Sequence, residues 1–185
     1  MSSSIPKVQN ILIQAMTAQP LMFSSMLCRL CQECRCDIIA SRLTRHDGMG
    51  ALTLEVTGSW DALVRLENAL AGLKKNENTL LNHTRISRQQ ETARELPYMA
   101  FVSARYHPDT LTELCLFFSN MRVDLQSIQY DSFTAPQSGT LMLNATLTIS
   151  VPDDVSISWL REQFLDFADA LNLDAMLEPW RPQQF

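Results

Sequence analysis

The chain has 185 residues, 46% of them hydrophobic and 19% charged, with only 5 glycines and 8 prolines. That length holds one ordinary domain or two small ones, and the composition is that of a soluble globular protein, which excludes disordered, collagenous and low-complexity classes. With 15 Lys and Arg against 20 Asp and Glu, the net charge is -5. A chain that grips phosphates usually carries a basic footprint, so direct nucleic-acid binding is not expected. The apolar stretch from Ile11 to Met16 is broken by Gln14 and is too short for a secretory signal. No run is long enough to suggest a membrane span. A cytoplasmic protein with reduced thiols is expected, since five cysteines, four of them within nine residues, do not form a secreted disulfide framework.

In chain order, Val8 to Met16 alternates partly and predicts a strand. Pro20 suits the first turn of a helix, and Phe23, Leu27, Leu30 and Cys31 recur at helical spacing after it. Asp37 to Thr44 and Ala51 to Thr57 predict a hairpin around the turn pair Asp47-Gly48. Ser59 is a good N-cap for a helix with Leu63, Leu66, Leu70 and Leu73 on one face, and Thr79 to Ser87 reads as a closing strand. The same order then returns. Tyr98 to Tyr106 predicts a strand, and Thr110-x-x-Glu113 has the form of a capping box before Leu111, Leu114, Phe117 and Phe118. Val123 to Phe133 and Thr140 to Ser150 predict strands around Pro136-Gln137-Ser138-Gly139. Ser158 to Leu171 predicts a helix anchored by Trp159, Phe164 and Leu171, and Leu173 to Glu178 a last strand.

Four echoes accompany this repetition. Arg35-Cys36-Asp37-Ile38 returns as Arg122-Val123-Asp124-Leu125 after 87 residues, and Gly50 to Thr57 resembles Gly139 to Thr146 at an offset of 89. Ser59-Trp60 returns as Ser158-Trp159 at 99, and Asn68-Ala69-Leu70 as Asp169-Ala170-Leu171 at 101. The expected class is α+β: two tandem ferredoxin-like βαββαβ domains, residues 1–90 and 91–185, each an antiparallel sheet with both helices on one face. Arg88 to Glu95, polar apart from Ala93, is the expected linker. Residues 1–92 carry 10 basic and 8 acidic side chains, residues 93–185 carry 5 and 12, so the second half is the acidic one.

The loudest local motif is Cys28-x-x-Cys31-x-x-Cys34-x-Cys36. Its spacing departs from iron-sulfur runs, and on a helix Cys28 and Cys34 would point to different sides, so core packing is expected and a metal or redox role is the rival reading. His107-Pro108-Asp109 spells the tripeptide of co-chaperone J-domains, yet here it joins a strand to a helix. No metal site, bound cofactor or catalytic residue is expected, because phosphate-loop, dinucleotide and nucleophile-elbow patterns are all missing. The remaining candidates are the loops between first strand and first helix, Thr17-Ala18-Gln19-Pro20 and His107-Pro108-Asp109-Thr110. There a helix N-terminus offers free N–H groups to the carboxylate of a small anionic or zwitterionic ligand.

Two βαββαβ copies with such loops look like a tandem ACT-domain protein. More narrowly, Cys34-Arg35-Cys36-Asp37-Ile38, Ser41-Arg42-Leu43 and Gly58-Ser59-Trp60 resemble the Cys-x-Cys-Asn-Ile, Ser-Arg-Leu and Gly-Ser-Trp elements of the glycine cleavage system transcriptional repressor family. The resemblance implies a regulatory protein without catalysis that senses an amino acid such as glycine and contacts a DNA-bound transcription activator. It also implies a ligand set drawn from Thr17, Gln19, Pro20, Leu21, Asp37 and Ile38, with His107, Asp109 and Asp124 in the second copy. Pairing of the sheets side by side and a homodimer are further expectations. An ACT regulatory subunit of an amino-acid metabolic enzyme is the alternative. The first loop departs from the family's Asp-Arg-Pro-Gly, reading Ala18-Gln19-Pro20-Leu21. Replacing that Gly puts a side chain where the backbone could approach a ligand. The family's Asn is Asp37 here, which would repel a ligand carboxylate and accept from an amino group.

Overall fold

The computed structural model describes residues 9–73, 79–87 and 95–180. It divides into two compact units, Met1–Gln90 and Glu91–Phe185. In the first, β1 (Gln9–Thr17) leads to α1 (Pro20–Glu33), then the hairpin β2 (Asp37–His46) and β3 (Met49–Thr57), then α2 (Trp60–Leu73) and β4 (Thr79–Ser87). The second unit repeats this with β5 (Glu95–Arg105), α3 (Thr110–Asn120), β6 (Asp124–Thr134), β7 (Leu141–Pro152), α4 (Ile157–Ala170) and β8 (Asp174–Pro179). The sheets are antiparallel, in the orders β2-β3-β1-β4 and β6-β7-β5-β8. Each unit is thus a βαββαβ ferredoxin-like fold. Most of the expected linker, residues 88–94, lies outside the described residues, and Glu95 opens β5. Among the described residues no helix is long and apolar enough to cross a membrane.

The alternation read in the sequence fixes which sheet face is covered. Ile11, Ile13 and Ala15 lie opposite Val56, Leu54 and Leu52, and all six are buried. Phe23, Leu27 and Cys31 of α1 and Leu63, Leu66 and Leu70 of α2 complete that layer. In the second unit the central strand offers the smaller Ala100, Val102 and Ala104, so the space above it is filled from the helices. Phe117 stacks on Phe167 with ring centroids 4.6 Å apart, and Phe118 meets Phe164 at 5.3 Å. Small strand residues beneath large helical ones preserve the packed volume.

The first echo is structurally equivalent residue for residue. Arg35 and Arg122 are both left-handed, with φ 59° and 58°, and each ends its helix. Cys36 and Val123 are buried, Asp37 and Asp124 start the next strands, and both strands bulge two residues later, at Ile39 and Gln126. The offset of 87 runs back through the helix: Phe23, Leu27 and Cys31 match Thr110, Leu114 and Phe118, each buried.

The other echoes are corrected by the register. Asp37 pairs with Thr57, and Asp124 pairs with Ser150, so the hairpin equivalence is 93 residues and not 89. Gly139 is therefore no counterpart of Gly50; it sits in the longer turn of the second hairpin, with φ 67°. Ser59 accepts from the Ala62 N–H and Ser156, not Ser158, accepts from the Trp159 N–H, which makes the cap offset 97. Trp159 and Leu171 are 47% and 41% exposed, and the anchors of α4 are Leu160, Phe164 and Ala168. Helical phase puts Trp159 beside the buried stripe at i, i+4 and i+8, whereas Leu171 is in phase with it but is the C-cap, beyond the end of the helix. The capping box also fails: the N-cap of α3 is Asp109, without a side-chain bond, and Thr110 is already the first helical residue and buried.

Gly50 marks a close approach. A Cβ built there would stand 2.3 Å from Cβ of Pro20, whose rigid ring closes the start of α1 onto β3. Gly50→Ala is expected to lower unfolding stability by about 1–3 kcal/mol through overpacking. Gly72, in α2 with open space around its Cα, should instead gain roughly 0.5–1 kcal/mol as Ala. Urea denaturation of the two variants checks both signs.

Candidate functional site

The loop from β1 to α1 opens onto a surface depression of about 520 Å³. Thr17, Gln19 and Thr79 give it polar atoms, and Met16, Met22, Met26 and Met49 line it with sulfur and methylene surface. Thr17 is buried. Its hydroxyl oxygen accepts from the Gln19 N–H at 3.2 Å and lies 3.4 Å from the Thr79 hydroxyl, so it shapes the loop. The first turn of α1 is left open. Pro20 has no N–H, the first helical bond is Phe23 N–H to the Gln19 carbonyl, and Gln19 makes no side-chain cap. The N–H groups of Leu21 and Met22 therefore have no intrahelical acceptor, and no acidic side chain occupies that turn.

The expected residues do not all gather here. Pro20 is buried against Gly50, where it supports the loop, and Leu21 is 74% exposed and outside the depression's lining. Asp37 and Ile38 lie at the other end of the sheet. On β3, Gly50 pairs with Thr17 whereas Thr57 pairs with Asp37, a separation of about 24 Å at strand rise. Within one unit they cannot share a small ligand with Thr17 and Gln19. Asp37 and Asp124 are exposed on edge strands, and the Asp124 carboxylate accepts from the Gln126 side chain at 2.6 Å. The sequence reading missed the four methionines, which are scattered over 34 residues of chain and converge only when α1, β1 and β3 assemble.

The second loop is built differently. By the offset of 87, His107, Pro108 and Asp109 stand where Pro20, Leu21 and Met22 form the first helical turn of α1, but here that turn is unwound. His107 Nδ1 accepts from the Asp109 N–H at 3.3 Å and lies 3.7 Å from the Asp109 carboxylate, and both side chains are largely exposed.

The cysteines pack. Cys31, Cys34 and Cys36 are buried, and their counterparts in the second unit are Phe118, Met121 and Val123, all side chains whose role is volume. Burial, reinforced by the neighbouring thiols of Cys36, Cys28 and Cys34, pushes the Cys31 thiol up to about 12. Among the described residues no group of three His, Cys, Asp or Glu side chains is disposed to hold a metal ion.

Residues 9–83 match the family model of the ACT domain. That match spans most of the first unit. The chain as a whole is similar in fold to a crystal structure described as a candidate glycine cleavage system transcriptional repressor, with a TM-score of 0.72 and 18% identity over 95% of this chain and 99% of that one. It is equally similar to an unknown protein from Galdieria sulphuraria, TM-score 0.72 and 12% identity, covering 95% of this chain and 100% of that one. No curated protein matches it in sequence. The architecture is that of two tandem ferredoxin-like domains, the first of which matches the ACT model.

A thiol whose folded value is raised keeps its proton while the unfolded chain loses it. Its contribution favours the folded state less and less as pH rises above the ordinary thiol value of 9.0 toward about 12. At pH 8 the native protein should react with a thiol reagent first at exposed Cys115, with Cys31 labelled only on unfolding. Mass spectrometry of the labelled peptides reads this order.

Proposed function

We propose that this chain is a non-catalytic regulatory protein that binds a small amino acid at the β1–α1 loop of its ACT domain and acts on transcription through contact with another protein. One observation carries the reading: the uncapped first turn of α1 stands beside a depression with polar atoms at its loop end, inside the domain that matches the family model. Free N–H groups and the positive end of the helix dipole suit a carboxylate. Gln19 Oε1 and the loop carbonyls are the acceptors within reach of an amino group. Asp37, Ile38 and Asp124, and the exposed pair His107 and Asp109, stand apart from this loop. A role for them belongs to the surface offered to a partner, or to a second copy of the chain in a homodimer.

The similarity to a candidate glycine cleavage repressor supports action on transcription, and the net charge of -5 supports an indirect mode, since an acidic protein does not concentrate on phosphate backbones. Cytoplasmic placement follows from that role.

A ligand that binds only the folded state stabilises it by about 2.7 kcal/mol at one hundred times its Kd. Thermal unfolding of the full chain against each of the common amino acids should therefore show a rise in melting temperature with at least one of them. No shift with any would leave a scaffold that binds proteins alone. The isolated protein should give no gel shift with promoter DNA at physiological salt, and a direct, salt-sensitive shift would overturn the indirect mode. Co-purification with a large metabolic enzyme subunit, in place of a transcription activator, would move the protein to the regulatory-subunit class.

A further inference from the structure

Among the described residues the two sheets end in four edge strands, β2 and β4 in the first unit and β6 and β8 in the second. An edge offers unpaired N–H and C=O groups to any extended chain, and most edges are blunted against it. β2 and β6 carry their bulges at Ile39 and Gln126. Beside β4 the Arg85 guanidinium donates twice to the Glu67 carboxylate of α2, at 2.8 Å each, and this ion pair bridges strand to helix. β8 has neither device. Its ladder with β5 runs without a shift from Asp174 to Pro179, and among the described residues no strand pairs with its other side. Between β8 and α4 the surface is hollowed by about 510 Å³, with Arg161 and Leu165 on the helical bank and Ala175 to Pro179 on the other.

Two bonds fix which backbone groups of β8 face this groove. Arg161 Nη2 donates to the Leu177 carbonyl at 3.3 Å, whereas the Trp180 N–H turns the other way, to the Pro97 carbonyl at 2.9 Å. Alternation then points the N–H and C=O of Ala175 and Leu177 outward. The Leu177 oxygen keeps a second lone pair beside the Arg161 bond. Charge states what an added strand must carry. On the sheet face away from the helices β8 presents Asp174, Met176 and Glu178, all exposed, in register with Ser103, Phe101 and Met99. On α4, Glu162, Asp166 and Asp169 are exposed as well, and Arg161 is the one cation of that helix. We propose that the β8 edge binds an extended basic segment of a partner protein as an antiparallel fifth strand, with Lys or Arg opposite Asp174 and Glu178 and an apolar residue opposite Met176. Main-chain bonds to Ala175 and Leu177 supply the affinity, and the cross-strand charge pairs supply the choice of segment. This rests on the partner contact proposed above, gives it a surface, and does not involve the amino-acid site.

The test is a nuclear magnetic resonance titration of the isotope-labelled full chain with the capped peptide Ser-Lys-Val-Val-Val-Lys-Ser. Its two Lys fall opposite Glu178 and Asp174, and its third and fifth residues opposite Leu177 and Ala175. The amide signals of Ala175 and Leu177 should shift and exchange more slowly with deuterated water. N-methylation of the third and fifth peptide residues, whose N–H groups face β8, should cut affinity roughly tenfold or more, while N-methylation of the fourth, which faces away, should change it less than about twofold. Replacing both Lys by Glu should also cost roughly tenfold. The double variant Asp174→Lys, Glu178→Lys should reverse that preference, a gain that a misfolded variant could not show. Equal binding of the Lys and Glu peptides, indifference to N-methylation at the third and fifth residues, or no binding by the Lys peptide each overturns the inference and leaves partner contact to another surface. Concentration-dependent protection of Ala175 and Leu177 without peptide, lost in the double variant, also overturns it and makes the occupant a second copy of the chain. Strand addition with the expected preferences stands even where the chain proves to regulate a metabolic enzyme, since either kind of partner can supply the segment.

Discussion

Everything in each unit hangs on one layer of apolar side chains pressed between a four-stranded sheet and two helices on the same face. Leu27, Leu54, Leu63 and Leu66 in the first unit, and Leu114, Leu147, Leu160 and Phe164 in the second, are excluded from water. With one side of the sheet covered and a domain of this size, the buried fraction is small and each core residue carries a large share of the stability. That constraint explains why cysteines can stand in the core beside leucines. Cys31 and Cys36 fill volume where Phe118 and Val123 fill it in the sister unit, and burial that raises the thiol's pKa also removes its chemistry.

The same layer explains what is left outside it. Every residue of β2 is exposed, because the helices cover the centre of the sheet more than its edge, and Ile38 and Leu43 stay partly wet. At the end of β1 the exposed methionines fall on both sides of the sheet, Met16 on the bare face between buried Ala15 and Thr17, and Met22 and Met26 on α1. The depression thus lies at the rim of the sheet, beside a helix end where backbone donors are unused. Apolar surface and backbone polarity meet there because Pro20, locked against Gly50, fixes where the helix begins.

The topology was readable from periodicity, since the covered face repeats every second residue in strands and every third or fourth in helices. Element order, the α1 and α2 faces, and the limits of β4 follow from that pattern. Positions that depend on phase within a helix did not. Trp159 is apolar, yet one residue of rotation puts it beside the buried stripe, and Leu171 is in phase but falls just past the helix end; the sequence alone sets neither the rotation nor the last turn. The hairpin register was lost for a related reason: alternation repeats every two residues, so an error of four keeps the apolar residues on the correct face and leaves no trace. Only the echo at Arg35 and Arg122 was anchored in three dimensions, by a left-handed residue and a bulge that permit no slippage. The site was legible only at its loop. Its methionines come from three elements, and no local spacing announces them.

The unwound first turn at His107 to Asp109 separates the two units where their folds would otherwise be most alike. Measured from the left-handed Arg35 and Arg122, α3 begins three residues later than α1, so one topology carries two different loop ends. A doubled fold therefore does not offer the same surface twice: the second unit is free to diverge in charge, as its surplus of carboxylates records.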